Sequence, residues 1–441
     1  MSERPTRSTK LVYGQDDRPP FSKMIMLALQ YFATAATFLL LTSLVIAQAN
    51  VPPELAADLI SLAMIVCAIS AIFQAVKWRY FGAGAFAAAT PNPVFLSAAL
   101  MAVKIGGIGL MAGMTLFAAV VQGMFTYGLR YLRKIFPPEL STLLVCMIGL
   151  ELGAMGIRHL TDTHNMSVTA SSMGVGLICL VIMFALHIWS QGLGKIFALL
   201  IGIVVGYISL FVIRDINAVH VQAIVSAPWL FMPSLPHIHY HFSMALAVLF
   251  IIAALICAIK VVGSMTAIQQ IQVEQWRDVD MPQIRRAGYA DAATNVVAGL
   301  MGCLGYNMSS SMMALSVSTR ICSRYIAYPY ALIFILVALC PKISLVFIYV
   351  PQVIVGATLI YLGTNLMMAG FRILSPLLTT PERRYIIGLS FMLGMSYSIS
   401  PFYYHQLPHA FQLFTGSSIA IATIFAVVLN FVLMLRLKDS T

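Results

Sequence analysis

The chain is 441 residues long, with 60% hydrophobic and 9% charged residues and a formal net charge of +11. A soluble domain carries a charged fraction nearer a quarter, so an ordinary globular fold is excluded and an all-α polytopic membrane protein is indicated. The positive balance calls for no nucleic acid, because the cytoplasmic loops of membrane proteins collect Lys and Arg.

Residues 1–22 are polar and basic, with no apolar core before Met24, so the first span rather than a cleaved signal peptide is expected to direct insertion. Pro19 and Pro20 delay the first helix, and spans are predicted over 23–48 and 54–76. Residues 81–104 depart from this pattern, being rich in Gly and Ala and carrying Thr90-Pro91-Asn92-Pro93. Such backbone is tolerated at membrane depth only where it is buried in protein or lines a cavity, which predicts a short extended piece and a half-helix starting near Pro93.

Spans follow over 105–129, 138–157 (containing Glu151), 171–190 and 195–213. Residues 214–242 read as the longest exposed connection and hold His237, His239 and His241, for which no fourth metal ligand is evident. Span 8 starts near 244 and passes through Lys260, and residues 268–286 read as an amphipathic interfacial helix. Span 9 covers 287–302, and 303–319 is a second broken segment, with Ser309, Ser310 and Ser311 at its bend. The remaining spans are predicted over 325–341, 346–371, 383–400 and 414–436.

The count is fourteen, and two broken spans, each third in a set of seven, point to two inverted seven-span repeats with both termini cytoplasmic. Lys104, Arg158, Arg214 and Lys342 fall outside, Lys260 falls within the membrane, and the other Lys and Arg residues fall on the cytoplasmic side. The seven cysteines stand singly and read as small buried hydrophobes. Gly109/Gly113 and Gly202/Gly206 read as helix-packing pairs. No phosphate-binding loop, HExxH or nucleophile elbow occurs, so neither a primary pump nor an enzyme is expected.

Lys260 is the sharpest chemical feature, since an ammonium at mid-membrane costs at least ~2.5 kcal/mol and faces a cavity or a partner. It reads either as a site residue or as one half of an ion pair with Glu151 or Asp291. Half-helix N-termini near Pro93 and Ser310 offer free N–H groups and positive dipole ends. With Lys260 and the hydroxyls of Ser309, Ser310 and Ser311 they make a donor-rich site suited to an anion or a carbonyl-rich base. Capping of the half-helix is the alternative role of these serines.

Several short segments, in order, resemble the nucleobase-ascorbate transporter family, the uracil, xanthine and urate permeases. Tyr13-Gly14-Gln15-Asp16-Asp17-Arg18-Pro19-Pro20 is similar to that family's usual opening, and Leu29-Gln30-Tyr31 falls where it commonly has Leu-Gln-His. Ala290-Asp291, Thr319 to Arg324, Pro341-Lys342 and Val350-Pro351-Gln352 leading to Gly356 are similar to its later motifs. The departures fall on the substrate positions. Lys260 stands where the family places a span-8 Glu, with Gly263-Ser264 at its Gly-Asp or Gly-His. Ser311 stands at the second binding acid or amide, with Met312 at the Asn beside it; Tyr31 is at the span-1 His, and Ala99-Leu100 at the span-3 Ser-Phe pair. The family's Glu accepts nucleobase N–H groups, whereas a lysine can only donate.

The resemblance implies a core domain (23–135 and 243–342) beside a gate domain (136–242 and 343–441), after a cytoplasmic lead of 1–22. It implies a secondary active transporter of a xanthine, urate or uracil type substrate, moving in an elevator-like way, as a homodimer through the gate domain in a bacterial inner membrane. No cofactor is expected beyond a coupling proton or cation, and Asp291 and Glu151 are the candidates for coupling or bracing. An anion transporter or exchanger on the same fold, and a transport-inactive binding protein, are the competing readings.

Overall fold

The computed structural model describes residues 11–129, 138–161, 170–190, 193–213, 218–273, 279–374, 381–406 and 418–438. They are overwhelmingly helical, and the chain is an integral membrane protein: seven described helices are long and apolar enough to cross a bilayer. An eighth crossing is added if Arg324–Ala338 and Pro341–Ile348, bent by 80°, form one broken span. The chain divides into two compact units, Met1–Leu129 with Ala218–Ser243 and Ala253–Tyr349, and Arg130–Asn217 with Met244–Ile252 and Val350–Thr441.

In unit 1, α1 (Phe21–Ala36) follows Pro20, whose extended backbone forms the N-cap. A break at Thr37 and Phe38 separates it from α2 (Leu39–Ala49), so the first predicted span is two helices in line. Asn50, left-handed at φ 49°, ends α2, and Pro53 at the first helical turn opens α3 (Pro53–Ala75). Strand β1 (Ala89–Pro91) comes next, then α4 (Pro93–Tyr127), which bends at Gly106 and Gly107. Gly107 takes φ 66°, a left-handed conformation that a side chain resists, and it separates the short first limb from the spanning second limb.

In unit 2, α5 (Pro138–Leu160), α6 (Ala170–Trp189), α7 (Leu193–Ile196) and α8 (Ala198–Val212) follow. The connection to the next span carries a helix that its sequence did not announce, α9 (Ala218–Ser226). Helix α10 (Met244–Gln272) is 29 residues long. Residues 268–286 are not one amphipathic helix: 268–272 finish α10, 274–278 lie outside the described residues, and Met281 already belongs to α11 (Met281–Leu300). Arg285 and Arg286, read as part of its polar face, belong to the first two turns of α11.

Strand β2 (Tyr306–Met308), α12 (Ser310–Thr319), α13 (Ala327–Ala338) and α14 (Pro341–Ile348) complete unit 1. Unit 2 ends with α15 (Gln352–Leu374), α16 (Pro381–Ile399), α17 (Pro401–His405) and α18 (Ser418–Lys438).

Glycines set the helix contacts of unit 2. A Cβ on Gly149 would lie 2.5 Å from the Gly363 carbonyl, and one on Gly156 2.7 Å from that of Gly356, so α5 and α15 cross antiparallel at backbone distance. Gly202 faces the Met183 side chain and Gly206 the Cys179 sulfur, which is the helix packing expected of that pair. Gly109 and Gly113 do something else. Their missing side chains leave room for the carbonyls of His239 and His241, and the His241 N–H donates to the Gly109 carbonyl at 3.3 Å. The glycine stripe therefore seats an extended segment rather than a helix. Gly113→Leu should overpack this contact and lower thermal stability in detergent by about 1–3 kcal/mol, read as a fall in melting temperature.

The N-terminal lead is also seated in unit 1. Tyr13 bridges Ile321 in parallel, the Val12 N–H donates to Arg320, and the Cys322 N–H donates to Tyr13. Asp16 pairs with Lys77 at 3.2 Å and Arg324 at 3.1 Å; these ion pairs are exposed and worth little on their own, so the backbone bonds set the register.

Candidate functional site

The two broken segments meet as a two-stranded antiparallel ribbon, with Ala89 opposite Met308, Thr90 opposite Asn307 and Pro91 opposite Tyr306. The pairing continues past both ends: the Asn92 N–H donates to Gly305 and the Ser309 N–H to Ala88. Since strands run at about 3.3 Å per residue, the two helix caps sit roughly 13 Å apart along the ribbon. Helices α4 and α12 leave from opposite ends.

Each strand is held from behind by a helix. The Ser70 hydroxyl of α3 accepts from the Ala89 N–H and donates to the Cys67 and Ala89 carbonyls, fixing β1. Strand β2 is held by α11, where Asp291 and Asn295 stand one turn apart on one face. Asn295 accepts from the Tyr306 N–H at 2.6 Å and donates to the Tyr306 carbonyl and to Gln122 Oε1. Asp291, fully buried, accepts from Gln122 Nε2 at 2.6 Å, from Asn307 Nδ2 at 2.6 Å and from the Met308 N–H at 2.9 Å. Gln122 and Asn307 carry no signal of this role beyond being polar residues in apolar runs, and Asn295 only its spacing of one turn from Asp291.

Asn307 links this network to α10. Its Nδ2 also donates to the Cys257 carbonyl at 3.2 Å, one turn before Lys260, while its Oδ1 is buried without a hydrogen-bond partner. Lys260 is half-buried, and among the described residues no carboxylate lies within salt-bridge distance of it. Asp291 lies close enough to interact with it electrostatically, but the Asp291 oxygens are engaged by neutral donors. An accessible stripe runs along α10 from Lys260 through exposed Gly263, where an added Cβ would meet open space. Ser264, one turn after Lys260, is buried.

The two half-helices are capped differently. Asn92 accepts from the Val94 N–H at 3.0 Å, an N-cap with Pro93 at the first helical position. Ser309 is the N-cap of α12 by position, yet its side chain makes no capping bond. Its hydroxyl is buried and has no hydrogen-bond partner, so capping does not account for this serine. Ser310 and Ser311, in the first turn, are exposed. One unpartnered hydroxyl, two accessible hydroxyls and the uncapped N–H groups of α12 form a compact set of donors.

A family model, Xan_ur_permease, described as Permease family, matches residues 22–402. The chain belongs to this permease family. CPE0397 of Clostridium perfringens, assigned by name as a purine permease, is 27% identical, over 96% of this chain and 93% of that protein. The xanthine permease XanQ of Escherichia coli is 23% identical, over 98% of this permease and 96% of the relative. Among solved structures, the murine anion transporter Slc26a9 in its inward-facing state matches with a TM-score of 0.62 and 8% identity, over 96% of this chain and 69% of that one. That likeness is one of fold.

The other predicted positions of the permease separate into two groups. Tyr31 is fully buried, its hydroxyl 2.8 Å from that of Ser316 on α12 and its ring 4.4 Å from that of Phe86. It joins α1 to α12 and presents no free polar atom. Tyr31→Phe should therefore cost about 0.5–1.5 kcal/mol of stability with little change in ligand affinity, measured by thermal shift with and without ligand. Ala99 is buried and Leu100 half-buried on the first limb of α4, where they can supply only apolar contact. Glu151 lies on α5 in unit 2, half-buried and within electrostatic reach of Tyr397.

Proposed function

We propose that the chain is a secondary active transporter of a nucleobase or related oxo-purine, urate and xanthine in anionic form being the best match. The observation that carries this reading is the ammonium of Lys260, without a salt-bridge partner among the described residues, on an accessible stripe of α10 and joined through Asn307 to a ribbon whose α12 end offers Ser309, Ser310 and Ser311. A bound oxo-purine anion would present carbonyl oxygens and delocalised charge to these donors, and the apolar Ala99 and Leu100 to its rings. The permease relatives named for purine and xanthine support the substrate class.

Every one of these residues belongs to unit 1, which we take as the core domain, with unit 2 as the gate. Transport by an elevator-like displacement of unit 1, fourteen spans in two inverted repeats, cytoplasmic termini and a homodimer through unit 2 complete the proposal. Asp291 braces the site rather than carrying the coupling proton, because its oxygens are occupied by three donors.

A second reading is transport of a smaller carboxylate or inorganic anion. It is favoured by the same Lys260 ammonium and by the fold shared with Slc26a9 and with the cyanobacterial bicarbonate transporter BicA, which matches with a TM-score of 0.54. Uptake into proteoliposomes of labelled urate, xanthine, uracil and bicarbonate separates the two. Saturable urate or xanthine uptake that bicarbonate does not compete away is expected. Uptake of bicarbonate alone would establish the second reading, and binding without uptake of any of the four would mark a transport-inactive binding protein.

A further inference from the structure

The connection between α8 and α10 is a belt of unusual composition. No Asp, Glu, Lys or Arg occurs from residue 216 to residue 259, and Trp229-Leu230-Phe231-Met232 sits at its centre. Although it joins two helical segments of unit 2, Ala218–Ser243 clusters with unit 1. The belt is laced to the ends of helices there. The Phe231 N–H donates to the Leu339 carbonyl at the end of α13, Ser234 donates to the buried Asp58 carboxylate near the start of α3, and the Tyr240 hydroxyl donates to the Leu300 carbonyl at the end of α11. The start of α3, a helix long and apolar enough to cross a bilayer, places the belt at the level of the membrane surface.

Pinned in this way, the belt turns its apolar side chains outward. Trp229, Leu230, Met232 and Leu235 are each between 65% and 82% exposed, more than a surface washed by water retains in one short run. The exposed apolar face of α13, with Leu332, Ile335 and Leu336, leads directly to the Phe231 contact at Leu339. A helix face of this kind on a membrane-spanning protein meets lipid, and the belt continues it. Lys342 Nζ lies 4.3 Å from the Trp229 ring centroid and donates to the Val225 carbonyl, keeping a cation beside the indole as interfacial lysines do.

We propose that residues 229–235 form an interfacial anchor, with Trp229 and its neighbours seated in the headgroup and upper acyl region of the bilayer. Tryptophan favours that zone because its ring is apolar and its N–H still finds a polar partner.

The test uses Trp229 fluorescence in the full-length protein with Trp78, Trp189 and Trp276 replaced by Phe, reconstituted in phosphatidylcholine brominated either near the glycerol end or near the methyl end of its chains. Quenching about twofold stronger for bromine near the glycerol end is expected for an indole at the interface. Quenching by aqueous iodide without quenching by either lipid would put the belt in water and overturn the proposal. Protection from both quenchers would put it under protein, as in a contact with a second copy, and would overturn it equally. Should the triple replacement not fold, Trp229→Phe in the otherwise native chain is expected to lower the glycerol-end component of the quenching, Trp78 and Trp189 being exposed as well. Unchanged quenching in that variant sinks the proposal.

Discussion

Lys260→Glu is expected to weaken binding of anionic urate and xanthine at least about tenfold, or 1.4 kcal/mol, while uncharged uracil, which the wild type binds only weakly, is unaffected or bound more tightly. Two unit charges 4 Å apart interact by roughly 4 kcal/mol near a protein surface, and reversing one of them changes the sign of that interaction. A tenfold loss is thus a modest fraction of what the geometry allows for a half-buried group. Lys260→Met separates the two halves of the effect. It removes attraction without adding repulsion, so its affinity for urate should fall between those of the wild type and Lys260→Glu. Isothermal titration in detergent reads all three, and equal urate affinity in all three would remove the cationic site altogether. If instead uracil binds the wild type tightly and Lys260→Glu does not change it, the substrate is recognised elsewhere.

The parts of this site that were legible in the sequence are those whose chemistry is local. Pro91, Asn92 and Pro93 announce an extended piece and a helix start within three residues, and the structure has β1, an Asn92 cap and α4 in that place. Lys260 stands out because a charge in an apolar run has few uses. The bracing network was not legible, because its members are far apart along the chain. Asp291 is visible as a buried-looking acid, but Gln122 and Asn307 become its partners only when α4, α11 and β2 pack. Asn295, one turn after Asp291, is the single local hint that a polar face of α11 is turned inward.

The belt shows a different limit. Residues 218–243 have neither helical nor strand periodicity over most of their length, and a connection with four histidines looks like a solvated loop. Its order comes from unpaired carbonyls at the ends of other helices and from the groove left by Gly109 and Gly113, none of which is written in the belt itself. Ser309 is the converse case. A serine before a helix reads as a cap, and only the packing of the ribbon leaves its hydroxyl buried and unused.

Asp291→Ala is expected to be the most damaging single change in unit 1. It deletes the acceptor for Gln122 Nε2, Asn307 Nδ2 and the Met308 N–H at once, in a site with no exposure to water. Each buried donor left unsatisfied costs about 1–3 kcal/mol, so the loss approaches the whole stability of a typical domain. The variant should fail to give a monodisperse peak in detergent. Asp291→Asn keeps the shape and one oxygen acceptor, but its amide NH2 meets a neighbouring donor and the charge assistance is gone. It should fold with a lower melting temperature. Because the role assigned to Asp291 is to hold β2 in register, uptake by Asp291→Asn proteoliposomes should keep whatever response to an imposed pH gradient the wild type has, at a reduced rate. A variant that melts like the wild type and loses only the pH response would move Asp291 from bracing to proton coupling. In that event the free Oδ1 of Asn307, between Asp291 and the helix of Lys260, becomes the next group to replace.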